Sequence, residues 1–393
     1  MPILHINTRM YQFFTRALTL IATSIMLFSC TPAKKLHQTE ANIKSLKYLG
    51  AYHIPYNLKY NNTIVGGLSG IDYDAKKDLY YLVSDDRSDK NPVRFYTAKI
   101  FITATGIDSV NFTAVHYIQQ PNGAFYPESK LNPFKAPDPE AIRVNPQHNY
   151  LVWSSEGERI VKANDTVLLD PAVYMSKPDG KYIDSFAIPA GLKMKPTENG
   201  PRRNGVFEGM SFADNYQTLF VNTEEPLYDD GPRADMADNN AFIRFIKFDV
   251  KSKKATAQFA YTLEPVAFVP KPENAFKVNG VSEILYLGNN KLLVIERSFS
   301  TGRLPCTIRV FTADLNDATD VSMMALKNNN SFTPSKKTRV LNMDDLGIYT
   351  DNIEGVTFGP VLPNGHKTLL FMADNNFNMI QKTQFLLFEI PEE

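Results

Sequence analysis

Apolar and polar positions alternate along much of this chain with the period of two that a half-buried strand requires. The alternation is interrupted by short polar turns. Phe242-Ile243-Arg244-Phe245-Ile246-Lys247-Phe248, followed by Thr256 to Leu263, shows it most plainly, and Thr307-Ile308-Arg309-Val310-Phe311 repeats it. No segment carries a 3.6-residue apolar period with caps, so the pattern predicts an almost entirely β protein.

A longer period overlies the short one. A small or acidic pair opens an apolar strand, a polar turn follows, and a second apolar run ends in an acid. Ser69-Gly70-Ile71 leads to Leu82-Val83-Ser84-Asp85, Glu140-Ala141-Ile142 to Trp153-Ser154-Ser155-Glu156, and Glu208-Gly209-Met210 to Val221-Asn222-Thr223-Glu224. Ser282-Glu283-Ile284 leads to Val294-Ile295-Glu296, and Glu354-Gly355-Val356 to Met372-Ala373-Asp374. The motif thus recurs about every 70 residues, a spacing set by its first positions 69, 140, 208, 282 and 354. Repeated four-stranded units predict a β-propeller, because radial packing buries both faces of each sheet and hides most edges. Five blades are countable, and segments 157–207 and 312–351 leave room for a sixth. The last unit supplies a third strand, Phe385 to Ile390, and then the chain ends. Leu46 to Ile54 is the candidate fourth, closing the ring within one domain over 44–393.

The composition fits a globular core, with 43% hydrophobic and 12% aromatic residues. Lys+Arg and Asp+Glu both total 42, which argues against a nucleic-acid binder working through bulk charge. Arg9 and Arg16 followed by the apolar run Ala17 to Phe28 read as a signal peptide over 1–29, too short to span a bilayer. Leu27-Phe28-Ser29-Cys30 resembles a bacterial lipobox, although Phe28 stands where a small residue is usual. Cys30 would then be the lipidated first residue, 30–43 a tether, and the protein exported and anchored to a bacterial membrane by lipid. Cys306 is the only other cysteine, so no intrachain disulfide remains.

Antiparallel pairing brings the start of one strand and the end of the next to the same end of a blade. If the first strand is innermost, Ser69, Glu140, Glu208, Ser282 and Glu354 meet Asp85, Glu156, Glu224, Glu296 and Asp374 around the channel. Most of these are carboxylates, which repel unless cations intervene. The candidate cations are Arg87, Arg143, Arg159, Arg202, Arg203 and Arg297, or a hard metal ion such as Ca²⁺ or Mg²⁺. A feature present in every blade also has the form of a fold-holding device, with acids paired to amides or neighbouring arginines. Function is therefore sought where the repeat breaks: Ser69, Ser282, Glu283, the basic loop 193–203 and the doubled acids Asp85-Asp86 and Glu224-Glu225. There is no G-x-S-x-G elbow, no H-E-x-x-H, no P-loop and no G-x-G-x-x-G. His53, His116, His148 and His366 are scattered and read as strand or surface residues.

Gly67-Leu68-Ser69-Gly70-Ile71, Val206-Phe207-Glu208-Gly209-Met210, Val281-Ser282-Glu283-Ile284, Ile295-Glu296-Arg297-Ser298-Phe299 and Ile353-Glu354-Gly355-Val356 resemble the phytase-like family, known as esterase-like activity of phytase, over roughly 44–390. The resemblance implies a secreted or lipid-anchored propeller and an ester hydrolase, phosphoester before carboxyl ester. In a Ca²⁺-dependent reading Glu208, Glu224, Glu296 and Glu354 are the metal ligands, and Arg203 and Arg297 grip the phosphate. The alternative is a non-catalytic propeller that binds a ligand or partner protein through its acidic face.

Overall fold

The computed structural model describes residues 38–392, so the signal peptide, Cys30 and the tether as far as residue 37 lie outside it. Five four-stranded antiparallel sheets make the body of the protein. Blade 1 comprises Leu68–Asp74, Leu79–Ser84, Arg94–Thr103 and Gly106–Tyr117; blade 2 comprises Pro139–Asn145, Tyr150–Ser155, Ala172–Ser176 and Tyr182–Ser185. Blade 3 comprises Phe207–Ala213, Thr218–Thr223, Phe242–Asp249 and Lys254–Thr262. Blade 4 comprises Lys277–Gly288, Lys291–Ser300, Thr307–Asp314 and Lys336–Asn342. Blade 5 takes Asn352–Phe358, Lys367–Asp374 and Thr383–Ile390 from the C-terminal end and Lys47–Ile54 from the other.

That last strand closes the ring as the alternation predicts, with Tyr52 opposite Phe385 and Lys47 opposite Glu389. There are five blades. Segment 157–207 holds the outer strands of blade 2 and a small hairpin, Glu158–Ile160 with Val167–Leu169. Segment 312–351 holds the outermost strand of blade 4 and the 3₁₀ turn Met343–Leu346, one of two such turns among the described residues. The compact unit begins at Gln38, ahead of the predicted boundary. Ile43 is buried, the Ala41 amide donates to the Leu287 carbonyl at 3.0 Å, and the Gln38 amide donates to Asn215 Oδ1.

Core side chains lie between neighbouring blades. Leu293, Ile308, Val356, Phe371 and Phe388 join blades 4 and 5, while Val152, Val173, Phe207, Met210 and Val221 join blades 2 and 3. Each such side chain contributes about 1.5–3 kcal/mol by leaving water. The first strands pack on one another around the axis, where there is little room. A Cβ on Gly209 would lie 2.6 Å from Glu283 Oε1, and one on Gly70 would lie 2.7 Å from the Ala141 Cα. The glycine of the Glu-Gly motif is thus a packing requirement.

The axis itself is plugged by an ion pair. Arg143 Nη2 lies 2.7 Å from Glu283 Oε2, and the guanidinium donates to the carbonyls of Ile71, Met210 and Ile284, one from each of three other blades. Glu283 Oε1 accepts the amides of Met210 at 3.0 Å and Ile284 at 2.9 Å.

Candidate functional site

At one end of the axis the strand starts and strand ends form a cavity of about 860 Å³. Every blade carries a register shift at the same step: Leu68/Gly70, Pro139/Ile142, Phe207/Met210, Val281/Glu283 and Ile353/Gly355. A bulge re-aims the side chains beside it, and here it sits at the strand-start motif. Glu140, Glu208 and Glu354 reach the cavity from strand starts, and Asp85, Glu156 and Glu224 reach it from strand ends. Carboxylate oxygens of Asp138, Glu140 and Glu156 all lie within 4.8 Å of one another, and so do those of Glu156, Glu208 and Glu224. The two triads share Glu156.

These acids are not equally supplied with donors. Glu156 Oε1 accepts the Val206 amide at 2.8 Å, and Glu224 Oε1 accepts from Arg297 Nη2 at 2.7 Å. No described group hydrogen-bonds to the carboxylates of Glu140 or Glu208. Burial pushes Glu140, Glu156, Glu208 and Asp85 well above the ordinary carboxylate range, and neighbouring carboxylates push them further. Burial likewise raises Asp138 to about 7, against the pull of Arg87. Glu225 is raised to about 7 by burial and by Glu224, although Arg233 Nε lies 2.7 Å away. An all-oxygen set held this close and this poor in donors fits a hard cation.

The fourth blade departs from the predicted ring. Pairing sets Val281 opposite Glu296, as Phe207 stands opposite Thr223 and Leu68 opposite Ser84. Arg297 therefore occupies the slot that holds Glu224 in blade 3 and Asp85 in blade 1. The hairpin of blade 4 is a residue tighter, turning at Asn289-Asn290 with Gly288 opposite Lys291. With a side-chain period of two, a slip of one residue sends Glu296 to the other face of the sheet. Glu296 there accepts from Tyr261 Oη at 2.7 Å, Asn279 Nδ2 at 2.7 Å and Lys337 Nζ at 3.1 Å, so it stands apart from the other three predicted ligands. Glu208, Glu224 and Glu354 do come together.

Arg297 lies at the cavity edge, bonded to Glu224 and Glu354 and to Asn352 Oδ1 at 2.5 Å. Burial opposes its charge, but Glu354, Glu224 and Glu208 outweigh that and hold it more firmly protonated than usual. Arg203 also lines the cavity, with its side chain 55% exposed and its Nε 2.8 Å from Glu158 Oε1. Of the other predicted cations, Arg143 is the axial plug and Arg87 pairs with Glu158 at 2.7 Å. Arg159 and Arg202 lie over the ring of Tyr228. Ser69 and Ser282 reach across to the next blade, donating to the carbonyls of Pro139 and Ile353. Asp138 escaped the sequence reading, though Asp138-Pro139-Glu140 signals it: period two returns Asp138 to the side of Glu140.

Among solved structures the chain is similar to an endo-arabinase from Bacteroides thetaiotaomicron, at 12% identity and TM-score 0.44, covering 84% of this chain and 95% of that one. It is also similar to the periplasmic gluconolactonase of Pseudomonas aeruginosa, at 12% identity and TM-score 0.36, covering 84% and 90%. A Bacillus subtilis arabinanase, at 15% identity and TM-score 0.38, covers 81% and 92%. Likenesses this weak say nothing of the chemistry. No curated protein matches the chain. Residues 63–377, most of the propeller, match the phytase-like family described as esterase-like activity of phytase, and the chain belongs to that family.

Proposed function

We propose that the cavity is a Ca²⁺ site and that the protein is a phosphoester hydrolase built around it. The observation that carries this reading is the pair of carboxylate triads sharing Glu156, with Glu140 and Glu208 left without protein donors. Structural acids find amides or arginines, as Glu283 does; these two do not.

In this reading the cation would be held by the triads Asp138-Glu140-Glu156 and Glu156-Glu208-Glu224, with Glu156 common to both. Glu354 acts one step back, keeping Arg297 in place. A hard cation supplies Lewis acidity, neutralising phosphoryl charge and lowering the pKa of water. Arg297 and Arg203 both line the cavity and would orient the phosphoryl oxygens, as guanidinium groups do through paired N–H donors. Charge on a bound cation would offset the repulsion that raises the pKa values of these carboxylates, which would then give up protons on binding.

The address belongs to the same proposal: export by the segment 1–29 and anchorage to a bacterial membrane through lipid on Cys30.

A calorimetric Ca²⁺ titration of the parent and of Glu156→Gln, alongside a panel of phosphomonoesters and carboxyl esters, tests the reading. Ca²⁺ binding abolished by Glu156→Gln, with Ca²⁺-dependent phosphoester turnover, is the expected result. Ca²⁺ binding without turnover of any ester would favour a non-catalytic propeller that takes a ligand on its acidic face. Absence of Ca²⁺ binding would remove the cation.

A further inference from the structure

Blade 4 differs from the other blades at the cavity in length as well as register. The first strands of blades 1, 2, 3 and 5 begin at Leu68, Pro139, Phe207 and Asn352, level with Val281 or one residue before it. That of blade 4 begins at Lys277, and its hairpin continues through Gly280 opposite Arg297, Asn279 opposite Ser298, Val278 opposite Phe299 and Lys277 opposite Ser300. These extra rungs form a wall beside the acidic floor. Phe276, Val278, Phe299 and Leu304 line the cavity from this wall, and Ile380 lines it from the loop that joins the last two C-terminal strands of blade 5.

Phe276 is 57% exposed, Leu304 66% and Ile380 61%. Single exposed apolar residues are ordinary, but several converging on one charged cavity mark a binding surface. The wall is braced. The Thr301 amide donates to the Phe276 carbonyl at 3.0 Å, and Arg303 lies 4.0 Å over the ring of Phe268 while donating to Thr307 Oγ1 at 2.6 Å. The Phe276 and Phe299 rings are 6.1 Å apart. An apolar surface held ready in this way loses little freedom when a ligand covers it.

We infer that the wall favours phosphoesters whose alcohol part is apolar, with an aromatic ring the best fit. The inference rests on the proposed reading of the floor as a phosphate site. Asn376, Asn378 and Gln381 line the same cavity and can meet polar groups, but Phe276, Leu304 and Ile380 gain only from apolar surface. A ring meets them with matching surface, while its phosphate lies toward Arg297 and the carboxylates.

The test uses the full chain with saturating Ca²⁺ and two non-hydrolysable probes, phenylphosphonate and methylphosphonate, titrated by calorimetry. Phenylphosphonate is expected to bind at least about tenfold tighter, which is about 1.4 kcal/mol. Leu304→Ser and Ile380→Ser lie on different blades and are well exposed. Each should reduce that ratio severalfold while leaving methylphosphonate and Ca²⁺ affinity unchanged. Equal binding of the two probes, a ratio untouched by both variants, or no binding of either probe would overturn the inference. A Ca²⁺-induced rise in Tm, measured separately, reports on the floor: if it persists while the two probes bind equally, only the wall has been misread, and if it persists while neither probe binds, the cation reading stands and the phosphate reading falls with the wall.

Discussion

Two clusters of buried charge share the axis of this propeller and are finished differently. In the plug, Arg143 and Glu283 meet each other and spend their remaining donors and acceptors on backbone groups of the surrounding blades. In the cavity, Glu140 and Glu208 are also buried among other acids, yet no described group donates to them. Both clusters cost solvation, and only the plug recovers it within the protein. In the proposed reading the difference separates charge that holds a fold from charge that binds a ligand. It also divides the repeated motif: its glycine serves packing and its acid serves the cavity.

The comparison is open to attack, most severely through the plug. Arg143→Met strands Glu283 and unsatisfies carbonyls from three blades, so urea unfolding should show a loss of about 3–5 kcal/mol. Ca²⁺ should not restore it; full rescue by Ca²⁺ would mean that plug and cavity are one site. Glu156→Gln strikes both triads while keeping the oxygen that accepts the Val206 amide. The parent should gain about 2.7 kcal/mol when Ca²⁺ is at 100 times its Kd, and the variant should gain almost nothing. Without Ca²⁺ the variant should be as stable as the parent or more so, since a mutually repelling charge is gone.

Glu296→Gln sharpens the same contrast from outside the cavity. It weakens the contacts to Lys337, Tyr261 and Asn279, costing about 1–3 kcal/mol by thermal or urea melting, equally with and without Ca²⁺. A lost Ca²⁺ response in this variant would return Glu296 to the cavity. The last contrast is in pH. Asp138 and Glu225 are each raised to about 7, so the folded state holds their protons more tightly than the unfolded chain, where carboxyls titrate near 4. Their stabilisation is complete below about pH 4 and is lost as pH rises through about 7. The metal-free Tm should therefore fall as pH rises across that window, and saturating Ca²⁺ should flatten or reverse the fall.

The sequence made the repeat visible because each blade reuses one hairpin: positions such as Glu208 and Glu224 recur with their neighbours, and the closing strand 46–54 has the same alternation as its partner. The register of blade 4 was hidden because a hairpin tighter by one residue leaves the string looking like its siblings while reversing the faces of Glu296 and Arg297. Asp138 lay just outside the motif. Arg143 could be counted as a cation, but its role depends on three carbonyls that only ring closure brings together.

Closure by Lys47–Ile54 has a kinetic consequence. Lys47 meets Glu389 across 342 positions, so the first strand of the propeller to be synthesised is the last to find its partner. At ~5–20 residues per second the interval is about 17–70 s. Blades 1 to 4 are each contiguous in sequence and can assemble from local pairings, whereas the fifth must wait for the chain's two ends to meet. Until then the growing molecule is an open arc with an unpaired edge, exposed to its neighbours for most of its own synthesis.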